Sequence, residues 1–360
     1  MRNILFGLML IIAQTSLLQT EACTGIKLTA KDGSIVHGRT LEFGVVVDIS
    51  TAIVPRNYTF TGSTPNGKGL SYTSKYAAVG AMAFDDPALM DGLNEQGLAV
   101  GTFYFPGFAD YADITTENQK RALSPVEFPN FILTQFSTID EVKEGIKNVV
   151  IAPTVTPQWG DKPAPFHYIV HDKSGNCLVI EPLNGTLVTY ENKLGTFTNS
   201  PTFDWHMTNL RNFINLTPFN VKPITLKGVT LEPFGQGSGM VGMPGDFTPP
   251  SRFVRAAIFS AIAEPSKSAE EAIFQTFHIL NQFDIPVGIS REKVGDVVYT
   301  DSTLLTCARD PQALKYYFRS YNDQTIKVVD LKLFDLDAES IKKASVTGVS
   351  KAYDISAQLK

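Results

Sequence analysis

The sequence has few of the features on which several classes of protein depend. Its 360 residues include three cysteines, Cys23, Cys177 and Cys307, which do not make the disulfide framework of a small secreted domain. We expect Cys177 and Cys307 to be buried structural thiols. The formal net charge is −5 and no basic cluster occurs, which argues against nucleic acid as a partner. No repeat, low-complexity tract or long linker divides the chain.

Patterns for metal and phosphate sites are also missing. Of the five histidines, His167 and His171 are four residues apart, but on a predicted strand they lack the helical geometry of a zinc motif. We therefore expect no metal and no cofactor. The glycine-rich stretch 235–239 does not lie between a strand and a helix, as a phosphate-binding loop would. No Gly-x-Ser-x-Gly elbow of a serine hydrolase occurs at a strand-to-helix turn.

Long apolar runs are absent as well. The run Ile4–Ala13 has about ten apolar residues, whereas a span of the bilayer needs roughly 20. With Arg2 before it and the small residue Ala22 after it, this pattern is typical of a secretory signal peptide. Cleavage before Cys23 would remove residues 1–22 and leave a single domain, 23–360, without a membrane span. We then expect a periplasmic or secreted protein.

Two alternatives for the N-terminal segment stay open. In a lipoprotein signal the cysteine is acylated, but such signals normally carry an aliphatic residue where Thr20 stands. A buried N-terminal helix is the other alternative, and it fits poorly with the strand that is predicted to begin at Cys23.

Cleavage before Cys23 would place a thiol and a free α-amine on one residue. An α-amine has an ordinary pKa near 8, far below that of lysine, so it can accept a proton at neutral pH. Cys23 would then supply both the nucleophile and the general base of a covalent mechanism.

Alternating residues on both sides of the Asp32-Gly33 turn predict a β-hairpin directly after Cys23. Its returning strand carries Arg39, which this pairing can bring back beside Cys23, where a guanidinium would favour a thiolate. A surface arginine on an exposed strand is the alternative. Helices are predicted at 125–136, 139–149, 251–263 and 269–283, between groups of short strands. This order predicts an α+β layered fold.

Five stretches resemble the choloylglycine hydrolase family, which groups bile salt hydrolases with penicillin V acylases among the N-terminal nucleophile hydrolases. They are Cys23-Thr-Gly, Gly38-Arg-Thr-Leu-Glu42, Asp91-Gly-Leu-Asn-Glu-Gln-Gly-Leu98, the segment from Leu194 through Thr198-Asn-Ser-Pro-Thr-Phe-Asp-Trp-His206, and Gly242-Met-Pro-Gly-Asp-Phe-Thr-Pro-Pro-Ser-Arg-Phe-Val-Arg255. The resemblance covers nearly all of the chain after residue 22. It implies an αββα four-layer sandwich with two antiparallel sheets.

The resemblance also implies the roles of individual residues. Cys23 would be the nucleophile, and Arg39 and Arg252 the two arginines of the active site. Asn199 and the backbone N–H of Tyr104 would form the oxyanion hole. Glu42 stands where bile salt hydrolases usually have an aspartate that holds the amine, and Tyr104 where they often have asparagine. Four residues, Phe43, Phe103, Phe105 and Phe108, are predicted to contact an apolar acyl group.

The substrate is then a small N-acyl amide, and three readings of the function remain. The first is hydrolysis of conjugated bile salts. The second is the same chemistry on penicillin V or N-acyl-homoserine lactones. The third is a binding or structural protein that kept the fold without activity, against which the presence of Cys23 argues. The resemblance further implies a homotetramer.

Overall fold

The computed structural model of the protein describes residues 22–44, 47–83, 87–156 and 161–359. Within these ranges the strands are β1 (Cys23–Thr29), β2 (Ile35–Phe43), β3 (Ile49–Val54), β4 (Thr59–Thr64), β5 (Gly67–Thr73), β6 (Ala78–Ala83), β7 (Ala88–Asn94), β8 (Ala99–Tyr104), β9 (Ala122–Leu123), β10 (Val150–Ile151), β11 (Phe166–His171), β12 (Cys177–Leu183), β13 (Thr186–Glu191), β14 (Ile224–Leu226), β15 (Val229–Leu231), β16 (Ser290–Val294), β17 (Val297–Asp310), β18 (Lys315–Ser320), β19 (Asp323–Asp330) and β20 (Lys342–Ser345). The α-helices are α1 (Phe128–Gln135), α2 (Ile139–Gly145), α3 (Phe203–Leu210), α4 (Pro249–Ile262) and α5 (Ala269–Leu280).

Two antiparallel sheets form the centre of the molecule. One has the strand order β1-β2-β17-β18-β19, with β16 also paired to β17, and the other has the order β13-β12-β11-β8-β7-β6-β3-β20. Leu41 and Leu305 of the first sheet share one apolar core with Leu93 and Val100 of the second. The two sheets therefore pack face to face, as their alternating inward residues require.

Helices cover the outer faces of both sheets. Helix α1 lies against β7 and β8, whereas α4 lies against β1 and α5 against β2 and β17. The resulting layers, helix, sheet, sheet and helix, confirm the predicted αββα sandwich. In the part of the chain that the structure describes, no helix is both long enough and apolar enough to span a membrane.

The hairpin of β1 and β2 is formed as predicted, and it sets the geometry of the site. Cys23 pairs with Leu41 and Gly25 with Arg39, and the turn holds Gly33 at φ 85°, where glycine is favoured. Because side chains alternate along a strand, Cys23, Arg39 and Leu41 point to the inner face of the sheet. Glu42 points to the outer face, towards the helices.

A glycine on β2 lets α5 approach the sheet closely. A Cβ at Gly38 would collide with Thr276 and contact Leu280, both of which lie on α5. Apolar side chains next to this close approach, among them Val36 of β2 and Ile273 of α5, form a buried cluster between the helix and the sheet.

Some predicted element boundaries differ from those in the structure. The helix predicted from Pro125 begins at Phe128, and Pro129 occupies its first turn, where a missing N–H costs nothing. Strand β17 has 14 residues and is longer than the short strands that the sequence predicts. Its register shifts between Thr303 and Leu305, and such a bulge keeps a strand continuous while re-aiming its side chains.

Candidate active site

Cys23 is the first residue of β1, and its thiol lies between the two sheets. The residue is 2% exposed, and Nη2 of Arg39 donates a hydrogen bond to its Sγ at 2.8 Å. The same guanidinium donates to the Thr102 carbonyl at 2.6 Å and lies 4.2 Å from the centre of the Phe103 ring. These contacts hold Arg39 in one orientation, so a fixed positive charge faces the sulfur.

A buried carboxylate lies behind Arg39. Asp91 Oδ2 is 3.9 Å from Nη1 of Arg39 and 3.2 Å from Nη1 of Arg309, and the Cys307 thiol lies 3.2 Å from its Oδ1. Burial would lower the pKa of Arg39, but the neighbouring Cys23 and Asp91 outweigh it and raise that pKa. Arg39 therefore stays charged despite being buried.

Asn199 approaches Cys23 from the opposite side. Its Oδ1 accepts from the backbone N of Cys23 at 2.8 Å and from Nη2 of Arg252 at 2.7 Å. Its Nδ2 donates to the carbonyl oxygen of Tyr104 at 2.8 Å. Both neighbours of Oδ1 can only donate, and the carbonyl of Tyr104 can only accept, so the network fixes which way the amide points.

Arg252 reaches the site from α4. Its Nη1 donates to the carbonyl of Cys23 at 2.5 Å and to Oγ1 of Thr24 at 2.9 Å. Burial lowers the pKa of Arg252 to about 10, with Glu42 opposing the shift. The guanidinium is therefore charged at neutral pH and clamps the start of β1 to Asn199.

Glu42 lies beside the residue that precedes Cys23. Its backbone N–H donates to the Ala22 carbonyl at 3.0 Å, and its Oε1 accepts from Oγ1 of Thr303 at 2.9 Å. Its other oxygen, Oε2, is buried without a hydrogen-bond partner among the described residues. Burial raises the pKa of Glu42 to about 8, with Arg252 opposing the shift. Cys23 N is here a peptide nitrogen that bonds to Asn199 and not to Glu42.

The four predicted acyl-binding phenylalanines occupy different environments. Phe43 is buried in the core between the sheets. Phe103 lies under Arg39, and Phe105 stacks on His167 with ring centres 4.1 Å apart. Phe108 stacks on Phe105 and is 41% exposed. Contact with an acyl group stays a prediction for all four, and Phe108 is the most accessible of them.

Two further histidines contact the backbone around Asn199. His167 Nε2 lies 3.0 Å from the Thr198 carbonyl, and its Nδ1 lies 3.2 Å from Oε1 of Glu181. His206 Nε2 lies 2.8 Å from the carbonyl of Asn199 itself. Sequence reasoning considered His167 only as a metal ligand. The one signal for His206 was its position in the stretch 198–206.

The other two cysteines differ from Cys23 in their surroundings. Burial raises the pKa of Cys177 well above its ordinary range, and it raises the pKa of Cys307 to about 12, with Asp91 adding to the shift. Both thiols are therefore protonated at neutral pH and react poorly. The cluster around Cys23 thus combines a thiol, a fixed positive charge beside it and an oriented amide. These are the groups that a cysteine-dependent amide hydrolase needs.

Comparison with known proteins agrees with this class. Residues 23–344 match the family model of the linear amide C–N hydrolases of the choloylglycine hydrolase family. The chain belongs to this family. A bile salt hydrolase/transferase from Clostridium perfringens is 34% identical over 324 residues, which are 89% of this chain and 95% of that protein.

Solved structures extend the comparison. The crystal structure of a variant of the conjugated bile acid hydrolase from Clostridium perfringens has a TM-score of 0.83 at 32% identity, covering 92% of this chain and 100% of that one. Penicillin V acylase from Agrobacterium tumefaciens has a TM-score of 0.72 at 24% identity, covering 89% and 90%. At 24% identity, the similarity to penicillin V acylase shows a shared fold.

The expected periplasmic or secreted location is wrong by the same comparison, because the characterised bile salt hydrolases to which the chain is similar are cytoplasmic enzymes without a signal peptide. That expectation rested on residues 1–22, which precede the family match. Residues 1–21 also lie outside the described ranges. An apolar run of about ten residues is a compositional pattern, and it does not by itself decide where a protein is located.

Proposed function

We propose that the protein, once Cys23 is its N-terminal residue, hydrolyses the amide bond of conjugated bile salts. The observation that carries the proposal is the 2.8 Å contact between Arg39 and the Cys23 sulfur. It lies in the hydrogen-bond network that also orients Asn199. Relatives that are at least 30% identical and are named bile salt or conjugated bile acid hydrolases support the choice of substrate.

Removal of residues 1–22 is the first requirement of this mechanism, and residues 23–360 then form one catalytic domain. It converts Cys23 N from a peptide nitrogen, which cannot accept a proton, into an amine, which can. We assign Glu42 to this amine. The register places Glu42 opposite Ala22. Removal of Ala22 would therefore leave Glu42 near the new amine, where its carboxyl group would stabilise the ammonium that forms when the amine takes the proton of the thiol.

The reaction proceeds through a thioester. The α-amine takes the proton of the Cys23 thiol, and the thiolate, facing Arg39, attacks the carbonyl carbon of the amide. The ammonium group then returns its proton to the leaving nitrogen as the C–N bond breaks. Water, deprotonated by the same amine, attacks the thioester, and the acid leaves as the Cys23 thiol is restored.

Asn199 and Tyr104 would stabilise the oxyanion of both tetrahedral intermediates. Nδ2 of Asn199 has two N–H bonds and the Tyr104 carbonyl occupies one of them. The N–H and the carbonyl of one residue point to the same edge of a strand. The N–H of Tyr104 therefore points to the edge at which Asn199 lies, and this arrangement supports its role as the second donor.

A side-by-side assay tests the choice of substrate. Purified protein with Cys23 at its N-terminus is given glycocholate, taurocholate, penicillin V and a long-chain N-acyl-homoserine lactone, and the Cys23→Ser variant is the control. We expect the highest kcat/KM on a bile salt and none above background in the control. Turnover of penicillin V or the lactone alone would assign the second reading, and absence of any turnover would favour a protein that kept only the fold.

We further propose that the protein forms a homotetramer in which the hairpin of β14 and β15 supplies one of the interfaces between copies. Its apolar side chains are half exposed, from 49% for Leu231 to 60% for Val229, and a lone two-stranded hairpin is marginal in water. A second copy would cover them. Light scattering after size exclusion should give the mass of four chains and a smaller mass for Val229→Asp. The matched change at another exposed valine, Val328→Asp, should leave the mass unaltered.

A further inference from the structure

Two buried imidazoles hold the backbone on both sides of Asn199. His167, on β11, meets the carbonyl of Thr198, and His206, on α3, meets the carbonyl of Asn199. These carbonyls belong to the two peptide planes that flank the Cα of Asn199. Fixing both planes fixes the φ and ψ of that residue, and with them the direction in which its side chain leaves the chain.

The protons at both histidines follow from their partners. A carbonyl oxygen only accepts, so Nε2 carries the hydrogen in both rings. In His206 the other nitrogen, Nδ1, is buried without a partner among the described residues. Burial lowers the pKa of His206 to about 4, so the ring is neutral at neutral pH. Its single hydrogen bond goes to Asn199.

His167 is held in turn by Glu181. Since Nε2 of His167 is committed as a donor, one further proton is shared between its Nδ1 and Oε1 of Glu181, 3.2 Å away. Burial raises the pKa of Glu181 and lowers that of His167, so burial favours the neutral pair, in which the carboxylic acid donates to the ring. The same Oε1 accepts from the N–H of Phe203 at 3.0 Å.

We propose that His167, Glu181 and His206 are positioning residues for Asn199, because their contacts with the Thr198 and Asn199 carbonyls and the Phe203 N–H aim its amide at the oxyanion position. The proposal rests on the function proposed above for Asn199. None of the three residues touches the substrate in this arrangement; they act by holding the peptide planes. A loose oxyanion donor lowers the rate of the chemical step more than substrate binding, because it interacts chiefly with the transition state.

His206 allows a clean test, since its ring has one hydrogen bond and stacks on Phe253 with centres 4.7 Å apart. His206→Phe keeps an aromatic ring in that place and removes the donor to Asn199. His206→Gln places an amide N–H near the position of Nε2. We expect His206→Phe to lower kcat on the best substrate by at least tenfold with KM within twofold, and His206→Gln to restore kcat to within about threefold of the parent enzyme.

Tyr168→Phe is the matched control. Tyr168 also donates from a buried ring to a backbone carbonyl, that of Pro125 at 2.8 Å. Among the described residues, no hydrogen bond or ring contact joins it to the Asn199 segment. It should lower the unfolding temperature about as much as His206→Phe and leave kcat unchanged. Unchanged kcat in His206→Phe, an equal loss in His206→Gln, or an equal loss in Tyr168→Phe would each overturn the proposal.

Two further measurements keep the test decisive. If His206→Phe does not fold, Glu181→Gln takes its place, since one amide group cannot both accept from Phe203 and donate to His167 through the same atom. The same tenfold loss of kcat is expected, and a normal kcat overturns the proposal. Crystal structures of the variants test the position of Asn199 without any measurement of activity. They therefore test this proposal even if the proposed function is wrong. Asn199 should lose its contact with the Tyr104 carbonyl in His206→Phe and keep it in His206→Gln, and an unmoved Asn199 in His206→Phe overturns the proposal.

Discussion

Replacing Asn199 by alanine is the most informative single change at the site. The side chain makes three hydrogen bonds, to the backbone N of Cys23, to Arg252 and to the Tyr104 carbonyl. Alanine removes all three, together with the N–H that we assign to the oxyanion. Loss of one oxyanion donor typically costs about 3 kcal/mol of transition-state stabilisation, so kcat should fall by roughly 100-fold or more on every substrate, with little change in KM.

Asn199→Asp separates the oxyanion donor from the structural contacts. Aspartate keeps an oxygen for the Cys23 N–H and for Arg252, which stays charged, but it has no N–H to donate. Its kcat should fall at least as far as in the alanine variant. Its unfolding temperature should stay higher, because alanine leaves two buried donors unsatisfied, at a cost of about 1–3 kcal/mol each.

Tyr104→Asn is the counterpart of these two variants. A change of side chain leaves the backbone N–H of Tyr104 in place, so the chemistry should persist. Exchange of an aromatic wall for a polar one is worth about 1–3 kcal/mol of discrimination between acyl groups. We expect the ratio of bile-salt to penicillin V hydrolysis to change at least several-fold.

Steady-state kinetics on at least two substrates decide between these roles. Uniform loss of kcat in both Asn199 variants, with a changed substrate ratio in Tyr104→Asn, is the expected result. If Asn199→Asp keeps normal kcat, the side chain donates nothing to the oxyanion. If Tyr104→Asn depresses all substrates equally, the side chain of Tyr104 belongs to the catalytic machinery and the division of roles is wrong.

Three further predictions concern the thiols, a buried carboxylate and a close helix contact. Iodoacetamide should inactivate with a single adduct on Cys23, and Cys177→Ala and Cys307→Ala should stay active, since the pKa of both thiols is raised by burial; peptide mapping that ties inactivation to either would refute this. Burial raises the pKa of Glu42 to about 8, so between pH 4.5 and 8 the folded chain keeps a proton that the unfolded chain loses. As the pH rises through this range, the uncleaved parent chain should therefore lose more stability than its Glu42→Gln variant. Parallel profiles of unfolding temperature against pH would contradict this. Gly38→Ala should lower the unfolding temperature, since its Cβ meets α5, and an unchanged temperature would count against that contact.

Local patterns in the sequence predicted the parts of the site that lie on neighbouring strands. The Asp32-Gly33 turn fixes the register of β1 and β2, and this register alone brings Arg39 to Cys23. The layered α+β fold followed from the order of short strands and helices. The position of Asn199, some 176 residues beyond Cys23, came from resemblance to a family, because no local rule joins segments so far apart.

The contacts that the sequence did not predict depend on tertiary packing. His167 and His206 lie on different elements, and they reach the carbonyls of Thr198 and Asn199 only when β11 and α3 are both docked. The exposure of the four phenylalanines could not be predicted from the sequence either. Alternation along a strand predicts which residues lie on the same face of a sheet, but not which elements cover that face. Phe103 is buried beneath Arg39, whereas Phe108, beyond the end of β8, is partly exposed.

The free α-amine of Cys23 is the central claim, and two forms of the protein test it most directly. One form begins at Cys23 after removal of an initiator methionine, and the other keeps Ala22 joined to Cys23 behind an uncleavable leader. Intact mass establishes each N-terminus, and kcat is measured on glycocholate. We predict turnover by the first form and a loss of at least 100-fold in the second, whose Cys23 nitrogen cannot accept a proton. Equal activity of the two forms, or activity of a form acylated on Cys23, would contradict the mechanism.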